Sequence, residues 1–431
     1  MTGVEVGLLM SGGLLVLLML GMPIAFSLGL SGLAGLAAMQ GASSFAFLVG
    51  AKPYTFTAVG TFIIVPMFLL MSHLAFSAGL SEKAFTAARA WVGHIRGGLA
   101  MTTILACAGF AAVSGSSVAT AATVSRIAIP EMLRSGYSKQ LSAGVVAAGG
   151  TLGVLIPPSG ILVIYSIATE TKLSDLLIAT IGPAILTVSA YLIGIYLLAA
   201  FRPHHVPSVM PAKASWKTSF AATGKSWEVL LLFSIIMGSI YLGIATPTES
   251  AGIGAAAAFI MAALRLKGGS SALVQGFIET AGATSAIFAL IVGAGLFSVA
   301  LTSTQIPQLL VDWVSGLGLD PTVLLLLVLV PYLFLGCFVD PASMLLLTLP
   351  IIFPIIVEAG INPVLFGILV TKMTEIGAIT PPVGLNVFVI SGTFPEIRLN
   401  DAFKGAFPFV VIELTICGIL IAFPVITLGF I

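Results

Sequence analysis

Apolar runs close to the ~20 residues that cross a bilayer recur along the whole chain, separated by short polar stretches. Read as helices, they predict spans over residues 4–20, 23–39, 57–79 and 176–201, then 229–244, 247–264, 281–302 and 407–430. The segments between them differ in character. Residues 40–56, with Lys52-Pro53, read as a loop or interfacial piece. Residues 80–97 carry Glu82, Lys83, Arg89, Trp91 and Arg96 on an amphipathic pattern that suits a helix lying at the interface. Residues 303–318, with Trp313, read the same way, and 202–227 form a hydrophilic link.

Four runs break this pattern. Residues 98–133 are interrupted at Ser114-Gly115-Ser116-Ser117, and residues 321–357 at 336–341. Each is too short for two ~20-residue crossings plus a turn, so each predicts a re-entrant hairpin. Residues 137–169 and 362–393 carry Gly-Val-Leu-Ile-Pro-Pro-Ser-Gly at 153–160 and Gly-Ala-Ile-Thr-Pro-Pro-Val-Gly at 377–384. Adjacent prolines remove two backbone donors, so these predict helices broken at membrane depth. Such a break survives only where protein or a polar cavity satisfies the freed groups. Paired breaks in two halves point to a central binding site.

The two halves repeat. An offset of 224 aligns Pro23 with Pro247, Pro130 with Pro354, Gly136 with Gly360, Gly153 with Gly377, both Pro-Pro pairs, and Gly160 with Gly384. Five crossings and one hairpin per half require the halves to face opposite ways. Placing both termini outside puts 14 of the 17 basic residues inside, among them Lys83, Arg134, Lys139, Lys213, Lys267 and Lys404, as the positive-inside rule requires. The expected organisation is a first repeat, 1–227 (scaffold 1–97, hairpin and broken helix 98–175, scaffold helix and link 176–227), and a second, 228–431 (scaffold 228–280; span, hairpin and broken helix 281–393; final helix 394–431). The tips are expected to meet near the midplane.

Composition agrees. Only 8% of residues are charged, against about 25% in soluble proteins, so the fold class is an all-α polytopic membrane protein. No basic tract suggests nucleic acid. Cys107, Cys337 and Cys417 have no disulfide or metal spacing, and no cleavable leader with a basic start is visible. The features of an intramembrane enzyme are absent from the sequence: no HExxH, no paired intramembrane aspartates, no Ser/His pair near a tip.

A tip at membrane depth exposes carbonyls from one arm and N–H groups from the other. Carbonyls and hydroxyls suit a hard monovalent cation, and helix N-termini suit an anionic group. Asp340-Pro341 reads as an N-cap with Pro at the first helical position, or as a buried carboxylate that also strengthens a cation site. Ser114–Ser117 read either as a packing surface or as part of a site. Gly153, Ile156 and Pro158, with Gly377, Thr380 and Pro382, are the carbonyl positions selected at the breaks. Thr246-Pro247-Thr248-Glu249 reads as a capping box, so Glu249 is structural. Lys372 and Glu375 are spaced to pair on one helix. His73 and the thiols read as packing residues, and His204-His205 as link residues without a special role.

Gly-Ser-Ser at 115–117, Leu-Ile-Pro-Pro-Ser at 155–159, Ala-Thr-Pro-Thr-Glu at 245–249 and Thr-Pro-Pro-Val-Gly-Leu-Asn at 380–386 resemble the large membrane subunit of TRAP (tripartite ATP-independent periplasmic) transporters. The resemblance implies an inverted-repeat, elevator-type fold like that of the ion transporter superfamily, in the unfused form of the subunit. It implies a bacterial inner-membrane location, a separate small membrane subunit, a periplasmic substrate-binding protein, and a Na⁺ gradient driving uptake of an organic acid such as a C4-dicarboxylate or sialic acid. It also implies two Na⁺ sites, one using Ser114, Ser117, Gly153, Ile156 and Pro158, the other Gly336, Asp340, Gly377, Thr380 and Pro382. Substrate contacts are expected at Ser116, Ser117, Asn386 and around Pro341. The alternative is a self-contained Na⁺- or H⁺-coupled anion carrier that needs no binding protein.

Overall fold

The computed structural model describes residues 2–40, 42–207, 214–265 and 270–431, which form helices and short connections without a strand. Lys213 and Lys267 lie outside the described residues. Six helices among those described are long and apolar enough to cross a bilayer, or up to eight if each bent pair is one span.

Both interrupted runs are hairpins. The first joins Gly98–Ser114 to Ser117–Arg134, turning at Gly115, whose φ of 63° is left-handed and ends the first arm. Ser116 caps the second arm by accepting from the Ala119 N–H at 3.3 Å. The second hairpin joins Pro321–Gly336 to Pro341–Glu358. Both Pro-Pro runs break their helices: Lys139–Leu155 bends by 43° into Gly160–Thr169, and Pro363–Gly377 gives way to Leu385–Thr393. Pro157-Pro158 and Pro381-Pro382 are both cis.

The broken helices run antiparallel. The Lys139 ammonium, at the start of one, donates to the Glu396 carbonyl just past the end of the other, 2.9 Å away. At the opposite end the Tyr165 hydroxyl donates to the Pro363 carbonyl at 2.6 Å. Start meets finish twice, which an upside-down repeat requires and a same-way-up repeat forbids.

The halves are also interlocked. Ile24–Met39 packs on Ser270–Ser303, and at the equivalent positions Pro247–Arg265 packs on Ile64–Ser77. Gly32 and Gly293 let the first pair approach to backbone contact, since a methyl on Gly32 would strike Phe297 and one on Gly293 would strike Ala25. Lys139–Leu155 crosses the final helix in the same manner, Gly144 against Gly405.

Several boundaries differ from the sequence expectation. Residues 42–57 are helical rather than a loop. The helix expected at 281–302 begins at Ser270, and its 34 residues, about 51 Å, exceed the ~30 Å hydrocarbon core. Gln275 and Glu279 interrupt the apolar run before residue 281, and the helix continues through them. The final helix begins at Leu399 instead of 407, so Lys404 is helical, and Gly405 docks on the Gln140 turn. The span expected at 176–201 is present from Leu173 to Phe201, built of two consecutive helices, Leu173–Ala179 and Ile181–Phe201. Within the hydrophilic link, Trp216–Gly224 is a helix meeting Trp227–Tyr241 at 60°.

One end of the bundle gathers basic side chains. Lys83 and Arg265 both contact the buried Glu228, the former at 3.1 Å, and Arg89 pairs with Glu131 at 2.7 Å. At the same end Ser138 caps the first broken helix and holds His205 Nδ1 at 2.7 Å. Burial, then His204 and Arg202, hold the His205 imidazole below its usual pKa. His205 therefore anchors that helix, a role its place in the link did not suggest. His73, expected to be a packing residue, instead pairs with Glu279 at 2.9 Å.

Candidate functional site

Each hairpin tip docks on the break of its own half through the same kind of bond. The Gly115 carbonyl accepts from the Gly160 N–H at 3.3 Å, and the Cys337 carbonyl accepts from the Gly384 N–H at 3.3 Å. Gly160 and Gly384 are equivalent under the 224 offset. Glycine is required because backbone meets backbone: a methyl on Gly153 would overlap the Ser116 carbonyl, and one on Gly377 would overlap Gly336.

The tips then converge on one helical turn. The Ser117 hydroxyl, from the first, donates to Glu375 Oε1 at 3.1 Å. Gly336, from the second, lies against Thr374, so close that an added methyl would come within 2.9 Å of its carbonyl. Two segments entering from opposite ends thus bear on adjacent residues.

At the first tip Ser114, Ser117, Gly153 and Pro158 are buried and Ile156 half-buried. Ser114 Oγ lies 2.6 Å from Thr120 Oγ1, and the Ser116 carbonyl accepts from Thr120. Pro157 and Pro158 occupy the positions from which N–H groups would reach the carbonyls of Gly153 and Val154. Asn386, buried, crosses from the second half to donate to the Ala147 carbonyl at 3.4 Å, while its N–H donates to Ala378.

The second tip is more open. Gly336, Gly377 and Pro341 are buried, Thr380 is half-buried, and Pro382 is exposed. Asp340 caps its helix, accepting from the Ser343 N–H at 3.0 Å, but it is exposed, which corrects the expectation of a buried carboxylate there. Its place at the N-cap, beside the turn of the hairpin, leaves it uncovered among the described residues. The Thr380 hydroxyl donates to Ile376 O at 2.5 Å, and the Gly377 carbonyl accepts from the Thr380 N–H.

A second correction concerns Lys372. It does not pair with Glu375 on its own helix; its ammonium reaches Glu413 on the final helix at 2.6 Å and Thr187 at 3.0 Å. The Tyr191 hydroxyl donates to the other Glu413 oxygen at 2.6 Å. Sequence reading missed Glu413, Thr187 and Tyr191, because only an intramembrane charge flagged the first and nothing in spacing reveals partners from other helices. Glu249 makes the expected capping box: its carboxylate accepts from the Thr246 N–H at 2.8 Å, and its N–H donates to Thr246 Oγ1 at 3.3 Å.

A family model described as "Tripartite ATP-independent periplasmic transporter, DctM component" matches residues 11–426. The chain belongs to this family. It is therefore a multi-pass membrane permease subunit of the TRAP class. A C4-dicarboxylate TRAP transporter large permease protein of Pseudomonas aeruginosa is 40% identical, over 86% of each chain. The sialic acid TRAP transporter large permease protein of Vibrio cholerae is 32% identical over 96% of each. Among solved structures, the Alcanivorax borkumensis YdaH transporter, described as having an unusual topology, superimposes with a TM-score of 0.68 over 98% of each chain at 18% identity, a likeness of fold. The contacts above join the hairpins and broken helices to one another. An open cavity of about 1250 Å³ lies among Phe56–Phe62, Ser166–Ser174, Thr246–Glu249 and Ile291–Val299.

Proposed function

We propose that this DctM-family permease imports an organic acid, with C4-dicarboxylates as the first class to test, by Na⁺-coupled elevator movement of the hairpin body along the scaffold. The convergence of both tips on Thr374–Glu375 carries the reading: it gathers broken backbone and a buried carboxyl group into one polar locus, the kind of locus around which secondary carriers bind at mid-bilayer. The 40% identity to a C4-dicarboxylate permease supports the substrate class.

The first tip fits Na⁺. Carbonyls released by Pro157 and Pro158 and the Ser117 hydroxyl are hard oxygen donors. Ser114, Ser117, Gly153, Ile156 and Pro158 would hold that ion; Gly336, Asp340, Gly377, Thr380 and Pro382 would hold a second. Bound Na⁺ supplies the coupling charge. The chain's own residues fix the tips, and Ser116, Ser117, Asn386 and the N-terminus at Pro341 would meet the substrate carboxylates. The reading includes a small membrane subunit and a periplasmic binding protein, and both termini on the periplasmic side of the bacterial inner membrane.

Reconstitution tests it. Proteoliposomes with the small subunit, given the binding protein and radiolabelled succinate, should accumulate label under an inward Na⁺ gradient and not under K⁺. Equal uptake by the purified chain alone would favour the self-contained carrier.

A further inference from the structure

The ionisable groups buried at the centre do not pair off one to one. Lys372, Glu375 and Glu413 are only 3%, 4% and 3% exposed. Lys372 and Glu413 form an ion pair, with Thr187 and Tyr191 as further partners. Glu375 is left over. No cation among the described residues lies within ion-pair distance of it, one oxygen receives only the Ser117 hydroxyl, and the other is buried without a partner. The adjoining void, lined by Thr151, Leu155, Thr371, Lys372, Glu375 and Glu413, holds about 10 Å³, at the lower limit for a single water. Solvent therefore does not compensate the carboxylate, and an uncompensated charge at this depth is costly.

The repeat sharpens the point. The residue equivalent to Glu375 in the first half is Thr151, whose hydroxyl lies 3.3 Å from Tyr191 OH. Of two matched positions lining the same void, one carries a carboxyl group. The groups expected around a cation at the first tip are otherwise neutral carbonyls and hydroxyls.

We infer that Glu375 is the counter-charge and positioning residue for the cation at the first hairpin tip. This rests on the Na⁺ reading above and deepens it. By accepting the Ser117 O–H hydrogen bond, the carboxylate turns the hydroxyl oxygen's lone pairs toward the ion. By its charge, it neutralises an ion that dipoles alone would leave as a net positive charge in the protein interior. It belongs to the second half while Ser117 belongs to the first, so loading the ion ties the first tip to the opposite repeat.

The test is Na⁺-dependent thermal stabilisation of the purified full chain, titrated with NaCl at constant ionic strength against choline chloride. The unsubstituted chain should show a Na⁺-specific rise in Tm. Glu375→Gln should keep its Tm in choline but need about 10- to 100-fold more Na⁺ for half the shift, the range for partners that orient a metal ligand. Ser117→Ala should weaken Na⁺ similarly, and the double variant should be little worse than either single one. Glu375→Asp, which keeps the charge but withdraws it, should fall between; it also serves if the Gln variant does not fold. Glu249→Gln should leave the Na⁺ midpoint unchanged. An unaltered midpoint in both Glu375→Gln and Glu375→Asp would overturn the inference while sparing the Na⁺ reading. No Na⁺-specific shift in the unsubstituted chain would instead overturn the Na⁺ reading.

Discussion

Lys372 and Glu413 meet at 2.6 Å in the middle of the protein, each almost wholly buried and each from a different helix. The pair fastens the second broken helix to the final helix. Removing one partner leaves the other as a lone buried charge, which typically costs about 3–5 kcal/mol. Lys372→Met should therefore sharply lower the unfolding temperature in detergent. Lys372→Met with Glu413→Gln, which keeps an acceptor for Tyr191, should recover most of the loss. A single variant as stable as the parent would mean the pair contributes nothing.

Gly153 has no room for a methyl, because the Ser116 carbonyl fills that space. Gly153→Ala should force the first tip off its break, cost about 1–3 kcal/mol by overpacking, and abolish uptake in the reconstituted system. Gly418→Ala, at a position with nothing within 4 Å of the new carbon, should be neutral or slightly stabilising. Comparing expression, Tm and initial uptake for the two separates tip packing from general helix effects.

Asp340 offers a clean separation of capping from charge. Asn caps a helix as well as Asp does, so Asp340→Asn should express and melt like the parent. If the carboxylate contributes to the second cation site, the Na⁺ concentration for half-maximal uptake will rise. Asp340→Ala removes the cap as well and should also lose about 1 kcal/mol of stability. Unchanged Na⁺ dependence in Asp340→Asn would leave Asp340 as a cap alone.

Much of this was readable from the chain, and the exceptions share a cause. Both tips and both breaks announced themselves through glycine, serine and proline, whose backbone chemistry is local. The repeat followed from their spacing, and its inversion from the number of crossings per half and the placing of the basic residues. What stayed hidden depends on distant segments: Glu413 as the partner of Lys372, His205 as an anchor of the first broken helix, and Glu279 as the partner of His73. The exchange of scaffold helices between the halves is likewise invisible to periodicity, because an apolar run reads the same whichever neighbour covers it. Asp340 was placed correctly as a cap, but its exposure depends on which elements reach the second tip.

Orientation can be measured directly, helped by the burial of Cys107, Cys337 and Cys417. A membrane-impermeant maleimide should label Lys172→Cys from the periplasmic side of intact spheroplasts, and Lys225→Cys only after permeabilisation. The reverse pattern would place the basic end outside, against the positive-inside rule.

The convergence of the two tips is the claim on which everything else rests. Spin labels at Ala119→Cys and Phe338→Cys, just past one tip and at the other, would report their separation by pulsed electron resonance in lipid nanodiscs. The structure predicts a distance well below the ~30 Å hydrocarbon thickness, since both tips bear on Thr374–Glu375. A distance equal to or greater than that thickness would place the tips at opposite faces and contradict a shared site.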